Sequence, residues 1–501
     1  MGIPKLFAAI FCFSISFSAS AQNFHMVKDI NDSKDAFPRG FVVLNGVSYF
    51  TGQNGINGYA LWRSDGTENG TYTVKTIDGG YVDRMIAVAN NQVFFIAIDT
   101  IHGQEIWVSD GTTNGTHLLK DFEPGKSGSY VQDFTVFGNK LFFSVATSAY
   151  GSELWKTDGT EAGTTMVKDI EPGSLSSSPA GLKVIDSSLY FTTRSITSYK
   201  YQLWKSDGTE SSTVMIKDSM DNVLPYLNFS SGDIFYFVTS SSYPTTTFTI
   251  WAYNTKDSTT TQLESYALYP NGFVDLNGTL IYSAAKNAGD TRLWKSDGTI
   301  AGTIEIKDVT PGVDSVSSII STTKVGNVAF FLGADSNSDY QLYKTDGTAN
   351  GTKLVKTFDG KFIPGALNLR DVNGVLYFAG YTLANGHELW KSDGAESGTI
   401  LIKDIYQGAS GSAPSQFTYA NNKILFAAND GLHGNELWIT DGSSVNTKIL
   451  KDINQKKSSG GVSLSLTAFK DKVYFMGTDW KNGFELWSTD GTETNTSVMT
   501  I

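Results

Sequence analysis

Asp99 and Glu105 stand six residues apart with Gly103 between them; the pattern returns as Asp430, Gly434 and Glu436, and again as Asp479, Gly483 and Glu485. Two carboxylates flanking a glycine turn offer the hard oxygen ligands that Ca²⁺ takes, so calcium is the one cofactor these pairs would hold. A structural reading competes, in which Asp opens the turn and Glu pairs across the sheet. The dense Asx spacing of a dedicated calcium loop is absent. His102 and His433 occupy equivalent places beside two of these turns, and His387 sits one place off. The only cysteine, Cys12, lies near the N-terminus. Without a histidine cluster or a Gly-x-Ser-x-Gly elbow, zinc chemistry and a catalytic triad have no basis, and no catalytic residue is assigned.

These pairs belong to a longer repeat, which must be read before any local motif. An aromatic recurs at Trp62, Trp107, Trp155, Trp204, Trp251, Trp294, Tyr343, Trp390, Trp438 and Trp487, at spacings of 43 to 49 residues. Asp-Gly begins three positions later in nine of the ten copies, Asn254-Thr255 being the exception. The fullest copy runs Glu153-Leu154-Trp155-Lys156-Thr157-Asp158-Gly159-Thr160, followed by Gly163-Thr164 and Val167-Lys168-Asp169-Ile170. In this string the chain resembles the bacterial ELWxxDGT repeat family over essentially all of its length beyond the leader. The resemblance implies an exported tandem-repeat protein and no established activity.

Each unit holds four strand-like runs. In the ninth they are expected at 416–420, 423–428, 436–440 and 448–453. Asn45-Gly46, Asn277-Gly278 and Asn373-Gly374 supply the tight turn between the first two strands, with residues that tolerate φ > 0 at both central positions. Four antiparallel strands per unit of this length predict an all-β fold, a β-propeller of about ten four-stranded blades. Two five-bladed propellers are the alternative. Val27-Lys28-Asp29-Ile30 and the stretch 497–501 both look like fourth strands, so one terminus is positioned to complete a blade begun by the other.

Pairing the third and fourth strands across the Asp-Gly turn sets Trp155 opposite Met166 and Glu153 opposite Lys168, with Glu436 opposite Lys451. A recurring Glu–Lys cross-strand pair is therefore expected to fix register. The Ser/Thr-Asp-Gly-Thr turn reads as structural, because Asp and Thr side chains bond local amides and Gly supplies the left-handed position.

The net charge of −12 and the lack of a basic stripe exclude a nucleic-acid partner. Lys5, the apolar run 6–17 and Ala19-Ser20-Ala21 make a signal peptide over 1–21, leaving a ten-repeat domain over 22–501. No later stretch is long and apolar enough to span a membrane. The expected destination is the periplasm, the cell surface or the medium.

The connections between strands two and three vary in length and composition, and variable loops on a rigid scaffold commonly carry binding residues. Tyr243, in the irregular fifth unit, and Trp480, the one Trp outside the repeat, are the candidate ligand-binding aromatics. The expectation that follows is a non-enzymatic binding or adhesion module for glycan or protein. A polysaccharide-acting hydrolase or lyase and a structural matrix or spacer protein are the alternatives.

Overall fold

Asn45-Gly46, Asn277-Gly278 and Asn373-Gly374 each hold both residues at positive φ, between 51° and 84°. This is the twist that joins two antiparallel strands without splaying them. The computed structural model describes residues 39–499, apart from 54–57, 66–69, 222–228, 242–245, 288–290, 308–318, 335–338, 360–368, 421, 454–461, 470–471 and 479–483. Within them forty strands form ten four-stranded antiparallel sheets, and no helix is present. The blades span 39–75, 81–120, 130–168, 180–220, 229–266, 268–307, 319–356, 370–403, 415–451 and 462–499. Every one is built from a single continuous stretch, with its strands hydrogen-bonded in chain order. The tenth blade closes with Ser497–Met499 as its fourth strand, as expected. The matching N-terminal run Val27 to Ile30 lies outside the described residues.

The sheets are apolar on both faces, so each needs two neighbours. Phe94, Ile106, Leu119 and Phe122 of the second blade share one cluster with Leu141, Phe143, Val145 and Trp155 of the third. The fifth and sixth blades meet in the same way, through Tyr236, Val238 and Ile250 against Leu280, Tyr282 and Trp294. No break therefore separates two groups of five, and the fold is one all-β propeller of ten blades. The repeat's aromatic packs backward onto the preceding blade. Trp155 meets Phe122 edge-on at 5.2 Å, Trp294 meets Tyr266 at 5.3 Å, and Trp390 meets Phe358 at 5.3 Å.

The expected Glu–Lys pair does not form. Trp155 does face Met166, but a bulge between Leu154 and Trp155 sets Lys168 opposite Leu154. Lys451 likewise faces Leu437 rather than Glu436. The extra residue in the fourth strand is a buried apolar one, Val167 or Leu450, and it enters the cluster shared with the next blade. Burying that side chain outweighs a cross-strand ion pair of about 0.2–1 kcal/mol. The displaced lysine turns to the next blade. Lys75 lies 5.7 Å over the ring of Trp107, Lys120 5.7 Å over Trp155, and Lys217 4.8 Å over Trp251. Lys168 and Lys403 donate to the carbonyls of Thr213 and Thr447, one blade on, at 3.0 and 2.6 Å.

The Asp-Gly turn is a second lock. Gly111 and Gly159 sit at φ +95°, and a Cβ there would strike Tyr49 and Gln92 of the preceding blade. Asp158 Oδ1 accepts from Thr160 N at 3.0 Å and Thr160 Oγ1 at 2.7 Å. Thr157 and Thr164 join their hydroxyls behind the turn at 2.8 Å. At the later glycine, Gly163, a Cβ would fall on the Asp158 carboxylate. Where that glycine is replaced, the new side chain bonds the aspartate instead: Ser212 to Asp207, and Asn446 to Asp441 at 2.6 Å.

Gly163→Ala should therefore lower stability by about 1 kcal/mol, because its methyl displaces the carboxylate and makes no bond to it. Gly163→Asn should cost less, since its amide repeats the bond that Asn446 makes. Urea denaturation of the two variants checks the order.

Candidate functional site

The side chains able to do chemistry collect where each blade's fourth strand leaves for the next blade. Glu153 has no exposed surface, although it is a carboxylate. Its oxygens accept from Ile170 N at 3.1 Å, Glu171 N at 3.3 Å, Ser177 N at 3.0 Å and Ser177 Oγ at 2.7 Å. Those donors line the connector that carries the chain out of one blade and into the inner strand of the next. Glu388 repeats the arrangement with Ile405 N, Tyr406 N, Ser412 N and Ser412 Oγ at 2.6–3.0 Å. Glu105 holds Glu123 N, Ser129 N and Ser129 Oγ, and Glu436 holds Ile453 N at 2.7 Å. Gln341 fills the same role in the seventh blade with mixed polarity. Its oxygen accepts from Phe358 N at 2.6 Å while its amide faces Phe358 O at 3.5 Å.

Burial pushes the Glu105 and Glu153 carboxyls up to about 7 and raises Glu388 as well, against the pull of their hydrogen-bond donors. Beside Glu105, the turn between strands two and three is closed by Asp99. Its Oδ1 accepts from Ile101 N at 2.8 Å and its Oδ2 meets His102 Nδ1 at 2.8 Å. Asp430 and His433 repeat this at 2.7 Å. The side-chain bond to the aspartate raises both imidazoles above their usual value.

The carboxylates paired in the sequence thus serve different partners. Asp99 and Asp430 cap turns and hold histidines, whereas Glu105 and Glu436 fasten connectors. Among the described residues no group of three or more Asp, Glu, His or Cys is arranged to hold a metal ion. Asp479 lies outside the described residues, as do Tyr243 and Trp480, and Glu485 is placed only as part of the strand Phe484–Thr489. The serine partners of the glutamates went unnoticed in the sequence. Their signal was a fixed offset of 24 residues, from Glu105 to Ser129, Glu153 to Ser177 and Glu388 to Ser412.

No family model matches the chain, and no curated protein does. Solved structures similar to it include a prolyl endopeptidase, at 11% identity and a TM-score of 0.35, over 71% of this chain and 56% of that one. Oligopeptidase B from Leishmania major is similar at 11% identity and 0.35, over 80% and 53%. The β-propeller domain of the trilobed protease from Pyrococcus furiosus is similar at 12% identity and 0.32, over 64% and 97%. The chain spans about half the length of the first two. A likeness at this level is one of fold alone. The propellers found are parts of peptidases, not the glycan- or protein-binding adhesion module expected, nor the polysaccharide-acting or matrix-spacer alternatives. Among the described residues no helix is long and apolar enough to cross a membrane.

Glu153→Leu should destabilise by more than about 3 kcal/mol, since three amides and a hydroxyl lose their acceptor in a dry place. Glu153→Gln should cost less, as Gln341 shows. Calorimetry of both variants measures the difference.

The pH dependence has a definite sign. Glu105 and Glu153 shift from 4.5 to about 7 on folding, and His102 and His433 are also raised. The native state therefore binds more protons than the unfolded chain between about pH 4.5 and 7, and stability falls as pH rises through that window. On the acid side, Asp110 and Asp158 are held below 3.8 by their turn hydroxyls and amides, so their contribution is lost as pH falls below that. The melting temperature should peak near pH 4 and be lower at pH 8. A melting series from pH 3 to 9 checks it, with Glu153→Gln flattening the neutral limb.

Proposed function

We propose that the chain is a rigid propeller body that stands beside a hydrolytic catalytic domain and governs which substrates reach it, without reacting with them itself. The observation that carries this reading is how the reactive side chains are engaged. Glu105, Glu153, Glu388 and Glu436 fasten connectors, the turn aspartates bond their own loops, and His102 and His433 are held by Asp99 and Asp430. Groups tied into recurring locks brace a scaffold, whereas catalysis needs a reactive group poised in a unique geometry. Locks repeated from blade to blade also suit steric screening better than closure around a ligand. The signal-like leader over 1–21 supports action after export, and the partner would be a polypeptide-handling protein rather than a nucleic acid. Peptide hydrolysis is chosen for the test because the similar propellers belong to peptidases.

The test compares the purified chain from Gln22 onward with the assembly recovered from its source through a tag on the chain. Fluorogenic peptides should be cleaved by the assembly and untouched by the chain alone. Cleavage by the isolated chain, or an assembly that contains only this chain and is inactive, would overturn the reading.

A further inference from the structure

In the second, third, eighth and ninth blades the repeat tryptophan buries an indole N–H that meets no acceptor: Trp107, Trp155, Trp390 and Trp438. In the same four blades the aspartate that ends the fourth strand buries an oxygen that meets no donor: Asp121, Asp169, Asp404 and Asp452. These are also the blades whose connector is fastened by a glutamate. Trp487 of the tenth blade likewise buries an indole N–H that meets no acceptor, and the residue after its fourth strand lies outside the described residues. In the first, fourth, fifth and sixth blades the indole is satisfied. Trp62 and Trp294 donate to the carbonyls of Gly52 and Ala284 at 3.2 and 3.3 Å, and Trp204 and Trp251 to the hydroxyls of Thr193 and Thr239 at 2.9 and 3.0 Å.

The glutamate does not supply the missing acceptor. Four donors already occupy the carboxylates of Glu153 and Glu388, which is the full capacity of such a group. The indole and the aspartate share a side of the sheet. Lys120 and Phe122 both pack on Trp155 of the next blade, so Asp121 between them points back toward its own Glu105 and Trp107. Asp121 and Glu105 both act electrostatically on His102, which places them together. Lys168 over Trp204, with Ile170 against the same cluster, turns Asp169 back in the same sense.

We propose that each of these four blades holds one ordered water that accepts from the indole Nε1 and donates to the aspartate Oδ1. The chemistry selects the ligand. A cation is repelled by the N–H and an anion by the carboxylate, while water alone both accepts and donates at this size. Buried polar groups left in matching pairs at equivalent places are where such waters belong. The site couples the backward-packing tryptophan to the end of its own blade.

The experiment is a crystal structure of the chain from Gln22 at a resolution that shows waters, together with a double-mutant cycle. Density within hydrogen-bond distance of both Trp155 Nε1 and Asp169 Oδ1, repeated in the other three blades and absent beside Trp204 and Trp294, is the expected result. A direct Trp–Asp hydrogen bond overturns the proposal, and so does a peak with metal–oxygen distances and anomalous signal. In the cycle, Trp155→Phe and Asp169→Leu should each lower the melting temperature, and the double variant should fall little further than either. Additive losses would show that the two groups share no ligand.

Discussion

One extra residue in the fourth strand of the first nine blades sets the rest of this architecture. A sheet that must pack on both faces needs apolar side chains directed to both neighbours, and a strict alternation in a four-residue outer strand supplies too few. The bulge adds Val74, Leu119, Val167, Ile306, Val355, Ile402 or Leu450 to the interface, depending on the blade. It also rotates the following lysine out of register with the glutamate. The lysine then reaches the next blade's tryptophan, and the glutamate is left to the connector. Where both are present, as in the second and third blades, two long-range fastenings thus replace one local ion pair, both directed from a blade to its successor.

The turn between the third and fourth strands shows the same economy of parts inside one chain. Its aspartate must lie back over the loop to accept the amide and hydroxyl two residues on, and the later glycine leaves room for it. The serine or asparagine that stands there in other blades restores the contact by donating to the carboxylate. Such compensation, repeated within a single sequence, shows that the aspartate serves the turn. The lowered value of Asp441, down to about 2, arises from the same hydroxyl, amide and asparagine donors. A metal would have to displace all of them.

Period, strand number and hairpin chemistry were legible because they are local. Asn-Gly announces its own backbone angles, and the alternation around each tryptophan marks a strand. The bulge was not legible, because Glu153 and Lys168 look complementary and a one-residue slip leaves no mark in composition. The sense of the glutamate was hidden for a different reason. Its partners are mostly backbone amides, which carry no residue identity, on connectors of differing sequence. Only the serine hydroxyl recurs as a letter. Of the candidate site, the sequence therefore identified the carboxylates and misassigned their partners.

That pattern also explains why function is harder to read here than fold. Repetition multiplies each favourable contact, so residues that would mark a site in another protein mark a lock in this one. The informative blades are those where the lock is rewritten. The fourth blade sets Gln202 between Thr193 and Asp218, the sixth pairs Arg292 with Glu305, and the fifth and sixth share the buried hydroxyl pair Tyr266 and Tyr282 at 2.7 Å. These departures are consecutive, and each keeps its interface closed by different chemistry. Retention of packing while the polar fastening changes places the polar variation of this chain along the arc from the fourth blade to the sixth.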